Sequence, residues 1–453
     1  MNGELRRVIG FWGGTALIIG ITIGSGIFRK PSTLANEVGH PGVILGLWVV
    51  FGLVSLFGAL ALAELSSMLP RTGGAYVFLH AAYGPSFAFV FGWLYLLVTA
   101  PAGVAALTTF FVELLLRLYG ARLGDAPAWL MPFTAGSAIV WFSVVNLLGA
   151  RQGSAVQGIL TAVKVAALSA LIVAAFAFSP GSFEHLASPA ARTVTVAALG
   201  AGAAAVIWTY DGWIAVSMIA GEIVAPEKLM KRIIVFGMLV IVVLYVVGNV
   251  AYFYALPLEV MQGEKGGVPQ RIMGDLLGRP GAMAISACIM CSVLGAAGAN
   301  ILAKPRVAYA MARDGLTFGF LGRTHPRWGT PYAAILIQGA VAVVLVLWLR
   351  DFDKLTNYFV VVEWFALLFA VGAVFVLRRK MPDAPRPYRT PGYPWVPILF
   401  EAGAVAGLAA ILWGEVKAGN WSPFIGLGIA FAGFPVYYLW RSFKRIPAPA
   451  PPP

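Results

Sequence analysis

Apolar runs of about twenty residues or more alternate along this chain with short breaks of glycine, proline and charge. Set against the length needed to cross hydrocarbon, these runs predict twelve helices. Six lie near residues 8–36, 42–69, 86–117, 129–149, 153–178 and 196–222. Six more lie near 230–256, 281–313, 331–349, 355–378, 394–415 and 421–441. The connections are short, so the expectation is one all-α polytopic membrane domain embedded in a lipid bilayer. The first run is not read as a cleavable signal, because Gly24, Ser25 and Gly26 interrupt its core and no small-residue cleavage site follows. The stretch from Pro447 to Pro453 reads as a short polyproline-type extension.

Composition excludes the soluble alternative: 60% of the 453 residues are hydrophobic and 11% are charged, against roughly half and a quarter in soluble domains. A net charge of +13 in a soluble chain would suggest nucleic acid. Here it has another explanation. With the N-terminus placed inside, 20 basic residues, Lys304 and Arg306 among them, fall at cytoplasmic ends and 11 at the opposite ends. Both termini are therefore expected in the cytoplasm, with no nucleic-acid partner. Cys288 and Cys291 share a helix face without a zinc ligand set and read as packing residues.

Three anomalies carry the chemistry. Thr22, Ile23, Gly24, Ser25, Gly26 and Ile27 put two glycines around a serine deep in the first span, where each glycine costs about 1 kcal/mol of helix stability. A break there would free the N–H groups of Ser25, Gly26 and Ile27 for a carboxylate and the carbonyls near Thr22 and Ile23 for an ammonium. The alternative is a glycine packing seam, although one residue between glycines is not the GxxxG spacing. The sixth span holds Trp208, Thr209, Tyr210, Asp211 and Gly212, a carboxylate followed by glycine in an apolar run. It marks a second break or a packing ion pair. Lys164, roughly 16 Å from the inner end of the fifth span, lies too deep to snorkel. It replaces a bound cation, titrates, or joins a buried ion pair. Glu363 on the tenth span would line the pocket or pair with Lys164, while Glu64, Glu113, Glu222 and Glu401 fall near helix ends and read as interfacial.

The chain resembles the amino acid–polyamine–organocation superfamily, in particular its bacterial L-type amino acid transporter-like permeases. The resemblance covers essentially the whole chain. It rests on residues 24–28, 71–76 (Arg-Thr-Gly-Gly-Ala-Tyr), 210–213, 306–315 and 386–392. It implies a LeuT-type five-plus-five inverted repeat with helices 1 and 6 broken: repeat one about 8–178, repeat two about 196–378, and extra helices about 394–441. It further implies that Ser25 and Gly26 receive the substrate carboxylate, that carbonyls of Thr22, Trp208 and Asp211 receive the α-ammonium, and that Trp208 gates the site. Lys164 would stand in for the second sodium ion of sodium-coupled relatives. The implied function is secondary, sodium-independent transport of L-amino acids by proton coupling, exchange or uniport, with neutral substrates favoured. Cationic amino acids or polyamines remain the alternative, because Asp211 and Glu363 could hold a distal cation. Animal relatives are joined to a glycoprotein through a cysteine between helices 3 and 4; residues 117–129 contain none, so no disulfide-linked heavy chain is expected.

Other classes fit less well. The four histidines lie near span ends or in loops, no hydrolase or metalloprotease motif is present, and no P-loop argues for ATP drive. No enzyme activity, cofactor or metal is expected. A transport-inactive amino acid sensor would require an appended signalling region.

Overall fold

The structure, a computed structural model, describes residues 5–119, 127, 129–187, 191, 193–264, 267–349 and 352–444. The loop segment 120–126, Arg122, Arg192, Lys265, Arg350, Arg445 and the proline-rich stretch lie outside the described residues. Among the described residues the regular elements are helices: α1 Phe11–Thr22, α2 Gly26–Glu37, α3 Pro41–Met68, α4 Ala75–Tyr83, α5 Pro85–Leu94, α6 Ala100–Leu118, α7 Leu130–Leu147, α8 Ala150–Phe178 and α9 Val196–Tyr210. Then follow α10 Ala215–Met218, α11 Pro226–Ala255, α12 Leu258–Gly263, α13 Val268–Ala303, α14 Pro305–Arg313, α15 Tyr332–Leu349, α16 Phe352–Lys380, α17 Trp395–Lys417 and α18 Ser422–Lys444. Among the described residues ten helices or helix pairs are long and apolar enough to cross a membrane, and Val196–Tyr210 and Tyr332–Trp348 are shorter apolar helices. Each of the twelve expected runs falls on one of these.

Their burial separates centre from periphery. In the first span, α1 with α2, 78% of the apolar window is buried, against 28% in the last. Helix α1 packs against α8, α11 and α13, and α2 against α9 and α12. The outer helices present Trp141, Val173, Val243 and Phe431 outward, the surface a bilayer covers.

Four expected spans are more complex than their hydrophobic pattern. The first is cut into α1 and α2, and the sixth into α9 and the single turn α10. The third is interrupted by a π turn, Tyr95–Thr99, in which Ala100 N–H donates back to Tyr95 O. Pro101 follows immediately and has no N–H for the regular ladder, so the wider turn absorbs the mismatch. The eighth span begins earlier than expected, at Val268, bends at Gly278 where φ is +64°, and ends at Ala303.

Candidate functional site

The break in α1 is real. After Thr22 the chain leaves helical geometry at Ile23 (φ −77°, ψ 78°), and the ladder of α2 starts with Phe28 and Arg29 donating to Ser25 O. The N–H groups of Ser25, Gly26 and Ile27 therefore precede that ladder, at the positive end of a twelve-residue helix. Opposite them, α9 stops at Tyr210; Asp211 is extended and Gly212 takes φ +118°, open to glycine but strained for other residues. The two breaks are pressed together. A Cβ on Gly26 would stand 2.2 Å from Thr209 Oγ1, and one on Gly212 would stand 2.5 Å from Ile21 Cγ2. The packing-seam reading thus also describes these glycines: they open the backbone and admit the neighbouring helix.

Between the breaks lies a cavity of 20 Å³, lined by Thr22, Gly24, Ser25, Gly26, Trp208 and Asp211, together with Gly103, Leu107, Asn300, Lys304 and Phe359. That volume suits a water molecule rather than an amino acid, so the site is contracted. Both ends are shut. On the side of α2, the Trp208 indole donates to Ser25 Oγ at 3.2 Å and meets Phe359 and Phe352 edge-on, with centroids 5.1 and 5.8 Å away. The Arg29 guanidinium lies 4.4 Å from the Phe352 ring and pairs with Glu113. On the other side, Gly73 N–H donates to Met218 O at 2.9 Å, and buried Arg306 forks onto Glu222 at 2.8 and 3.1 Å.

Lys164 has all three N–H donors used: Nζ donates to the carbonyls of Gly20, Ile23 and Ser292, each at 2.8 Å. The ammonium thus ties the end of α1 to α13, and Ser292 Oγ also donates to Ile23 O. It does not pair with Glu363. The carboxylate Glu363, fully buried, instead accepts from the Tyr95 hydroxyl, and the charged groups acting on it are Lys304 and Asp211. Of the two readings left open for Glu363, pairing with Lys164 is thus not the one seen here. Lys304, counted in sequence among residues at a cytoplasmic end, is 2% exposed and lines the cavity, its ammonium 4.7 Å from the Phe359 ring and 5.7 Å from that of Tyr95. Asn300, in the last turn of α13, and Lys304, just past its end, are four residues apart and so lie on the same side; that polar pair is the signal in the sequence.

Not every expected site residue reaches the cavity. The Ile23 carbonyl is turned to Lys164, and Ile27 packs toward α11 beside Gly248. Thr209 donates to Ala205 O, and Tyr210 donates to Trp48 O while stacking obliquely on Tyr245. The Thr22 carbonyl already accepts from the Tyr245 hydroxyl at 2.6 Å and from Gly24 N–H at 2.8 Å, which occupies both lone pairs in this state. Asp211 Oδ1 and Glu363 Oε2 are buried oxygens with no hydrogen-bond partner.

Two of the acids read as interfacial, Glu64 and Glu222, are buried in ion pairs. Glu64 is buried and accepts from Arg378, from Thr390 N–H and from Thr390 Oγ1 at 2.7–2.9 Å. Glu222 is buried against Arg306. Residues 71–76 and 306–315 meet at the same end, where Arg71 and Tyr76 reach Asp314 at 3.2 and 3.0 Å. Arg386 folds its own loop by donating to the carbonyls of Leu377 and Met381. Of the cysteines, Cys288 is half-buried but Cys291 is exposed, so the latter does not pack in the core.

The family model described as "Amino acid permease" matches residues 9–434. The chain belongs to that family. It is an integral membrane transporter or exchanger of amino acids, not an enzyme. It is 32% identical over 447 residues to the serine/threonine exchanger SteT of Bacillus subtilis, covering 98% of each chain. It is 28% identical to the mouse b(0,+)-type amino acid transporter 1, covering 98% of this chain and 91% of that one. The human cystine/glutamate transporter is 27% identical, with 98% and 87% covered.

Proposed function

We propose that this permease exchanges L-amino acids, small neutral ones foremost, by alternating access and without sodium. The observation that carries the sodium independence is the Lys164 ammonium among three carbonyls at 2.8 Å. With Nζ protonated, that side chain joins the broken α1 to α13, the electrostatic task a metal cation would otherwise perform. The substrate carboxylate docks on the N–H groups of Ser25, Gly26 and Ile27. Its α-ammonium takes the Trp208 carbonyl and Asp211, whose Oδ1 lacks a partner, because the Thr22 carbonyl is engaged by Tyr245. Trp208 swings away from Ser25 to admit substrate.

In this reading α1–α8 and α9–α16 form two inverted repeats with α17 and α18 added. The termini face the cytoplasm of a bacterial plasma membrane, and no disulfide-linked heavy chain is attached. The serine/threonine exchanger at 32% identity favours a small neutral substrate.

The test is thermal stability of the detergent-purified protein against the twenty L-amino acids, agmatine and putrescine, each with sodium or with potassium in its place. Small neutral L-amino acids should raise the melting temperature by the same amount in both salts. Stabilisation that requires sodium would overturn the assignment of Lys164, and stabilisation by diamines alone would move the substrate class.

A further inference from the structure

Between α5, α16 and α18 the outer surface folds into a cavity of 180 Å³. Phe87, Phe91, Phe365, Phe369, Phe431 and Phe434 form most of its wall, and every residue lining it is apolar. The ring of Phe87 lies 5.4 Å from that of Phe434 and 5.7 Å from that of Phe369, and Phe365 lies 5.9 Å from Phe431. Phe431 is 56% exposed, so the edge of the cavity is on the surface that a bilayer covers. Such a wall offers an amino acid no hydrogen bond; it suits hydrocarbon.

The ring contacts pair Phe365 with Phe431, and Phe87 joins Phe369 to Phe434, so α16 and α18 run in the same direction along the groove. Their C-terminal ends therefore lie together, and both are basic. Tyr83 packs on Phe87 and Phe369 at that end, and beside it the Lys380 ammonium donates to Ala82 O at 2.7 Å. Lys380 is exposed and follows Phe369 by eleven residues, which puts it on the same face of α16, ~16 Å further along. Arg441 is exposed and follows Phe434 by seven, on the same face of α18 and ~10 Å further along. Glu401 also comes near this end, beside Gly372, but its Oε1 is buried in the bundle.

We infer that this groove binds one anionic phospholipid, an acyl chain between the phenylalanines and its phosphate within reach of Lys380 and Arg441. The apolar length followed by two cations matches a lipid tail followed by a negative headgroup. The groove also shares a wall with the interior of the bundle. Phe91 stacks on Tyr95 at 4.4 Å, where the π turn begins. The bound chain therefore braces that turn from the bilayer side.

The test is native mass spectrometry of the purified, full-length protein titrated with phosphatidylglycerol or with phosphatidylcholine of the same acyl chains. The first phosphatidylglycerol should bind at least ~10-fold more tightly than the first phosphatidylcholine, the advantage expected of two basic residues at a membrane surface. In Lys380→Gln with Arg441→Gln that preference should fall below ~3-fold. Ala430→Phe, which fills the groove, should weaken both lipids by ~10-fold or more, since a buried chain is held by its methylenes. Arg441→Gln alone should lose part of the preference, and it leaves the Lys380 contact with Ala82 intact if the double variant does not fold. Equal affinity for the two lipids in the wild-type protein overturns the site, as does a preference that survives in the double variant. Unchanged phosphatidylglycerol binding in Ala430→Phe would place the lipid elsewhere and overturn it too. A dimer that Ala430→Phe dissociates would give the groove to a second copy of the chain, with the same consequence.

Discussion

An ammonium inside a bilayer survives only where protein oxygens replace its water, and Lys164 meets that requirement with three carbonyls. Two of them belong to α1 at its break, so the lysine holds that break in its geometry. In Lys164→Ala the carbonyls of Gly20, Ile23 and Ser292 lose the lysine donor, and Ile23 O keeps only the Ser292 hydroxyl; each buried group left unsatisfied costs about 1–3 kcal/mol. Uptake should fall at least ~10-fold at equal membrane expression; wild-type uptake in that variant would remove Lys164 from the mechanism. The burial of this residue was legible because depth in an apolar run is visible in one dimension. Its partner was not visible. Pairing Lys164 with Glu363 was reasonable by charge, yet the fold sends Glu363 to Tyr95 and brings Lys304 to the acids instead. Lys304 was counted as an end residue because it precedes Pro305 and a basic helix, and only the course of α13 shows its burial.

At the scale of elements, the paired breaks were legible because glycine beside polar residues within hydrophobic runs has few other physical explanations. The π turn at Tyr95–Thr99 was not, since Pro101 alone does not tell a kink from a widened turn. The contact between the breaks gives a sharp expectation. Gly26→Ala places a Cβ within 2.2–2.7 Å of the Thr209 side chain, which must push α9 away from α2. Transport should be lost by ~10-fold or more, as expected of overpacking at a close helix crossing. Adding Thr209→Gly removes the obstructing atoms and should restore part of the activity. If Gly26→Ala alone transports normally, the close approach of the two helices is not required for function.

Across the whole molecule, the family motifs divide into two jobs. Residues 24–28 and 210–213 build the cavity, while 71–76, 306–315 and 386–392 lock one end of the bundle through Asp314, Glu222 and Glu64. The Glu222–Arg306 pair is the most deeply buried of these locks. Glu222→Gln leaves the guanidinium without its counter-charge, so stability should fall by about 3–5 kcal/mol. That loss would be read as a lower melting temperature, partly recovered in Glu222→Gln with Arg306→Met; an unchanged melting temperature would mean the pair opens freely. With a cavity of only 20 Å³, the site must widen to load a substrate and again to release it. The most direct measurement is uptake of radiolabelled L-serine into proteoliposomes, with and without unlabelled L-serine inside and with sodium replaced by potassium outside. A sodium-independent exchanger takes up label only into preloaded vesicles, at the same rate in both salts. Uptake that needs a sodium gradient, and runs equally well into empty vesicles, would contradict both the exchange mechanism and the role given to Lys164.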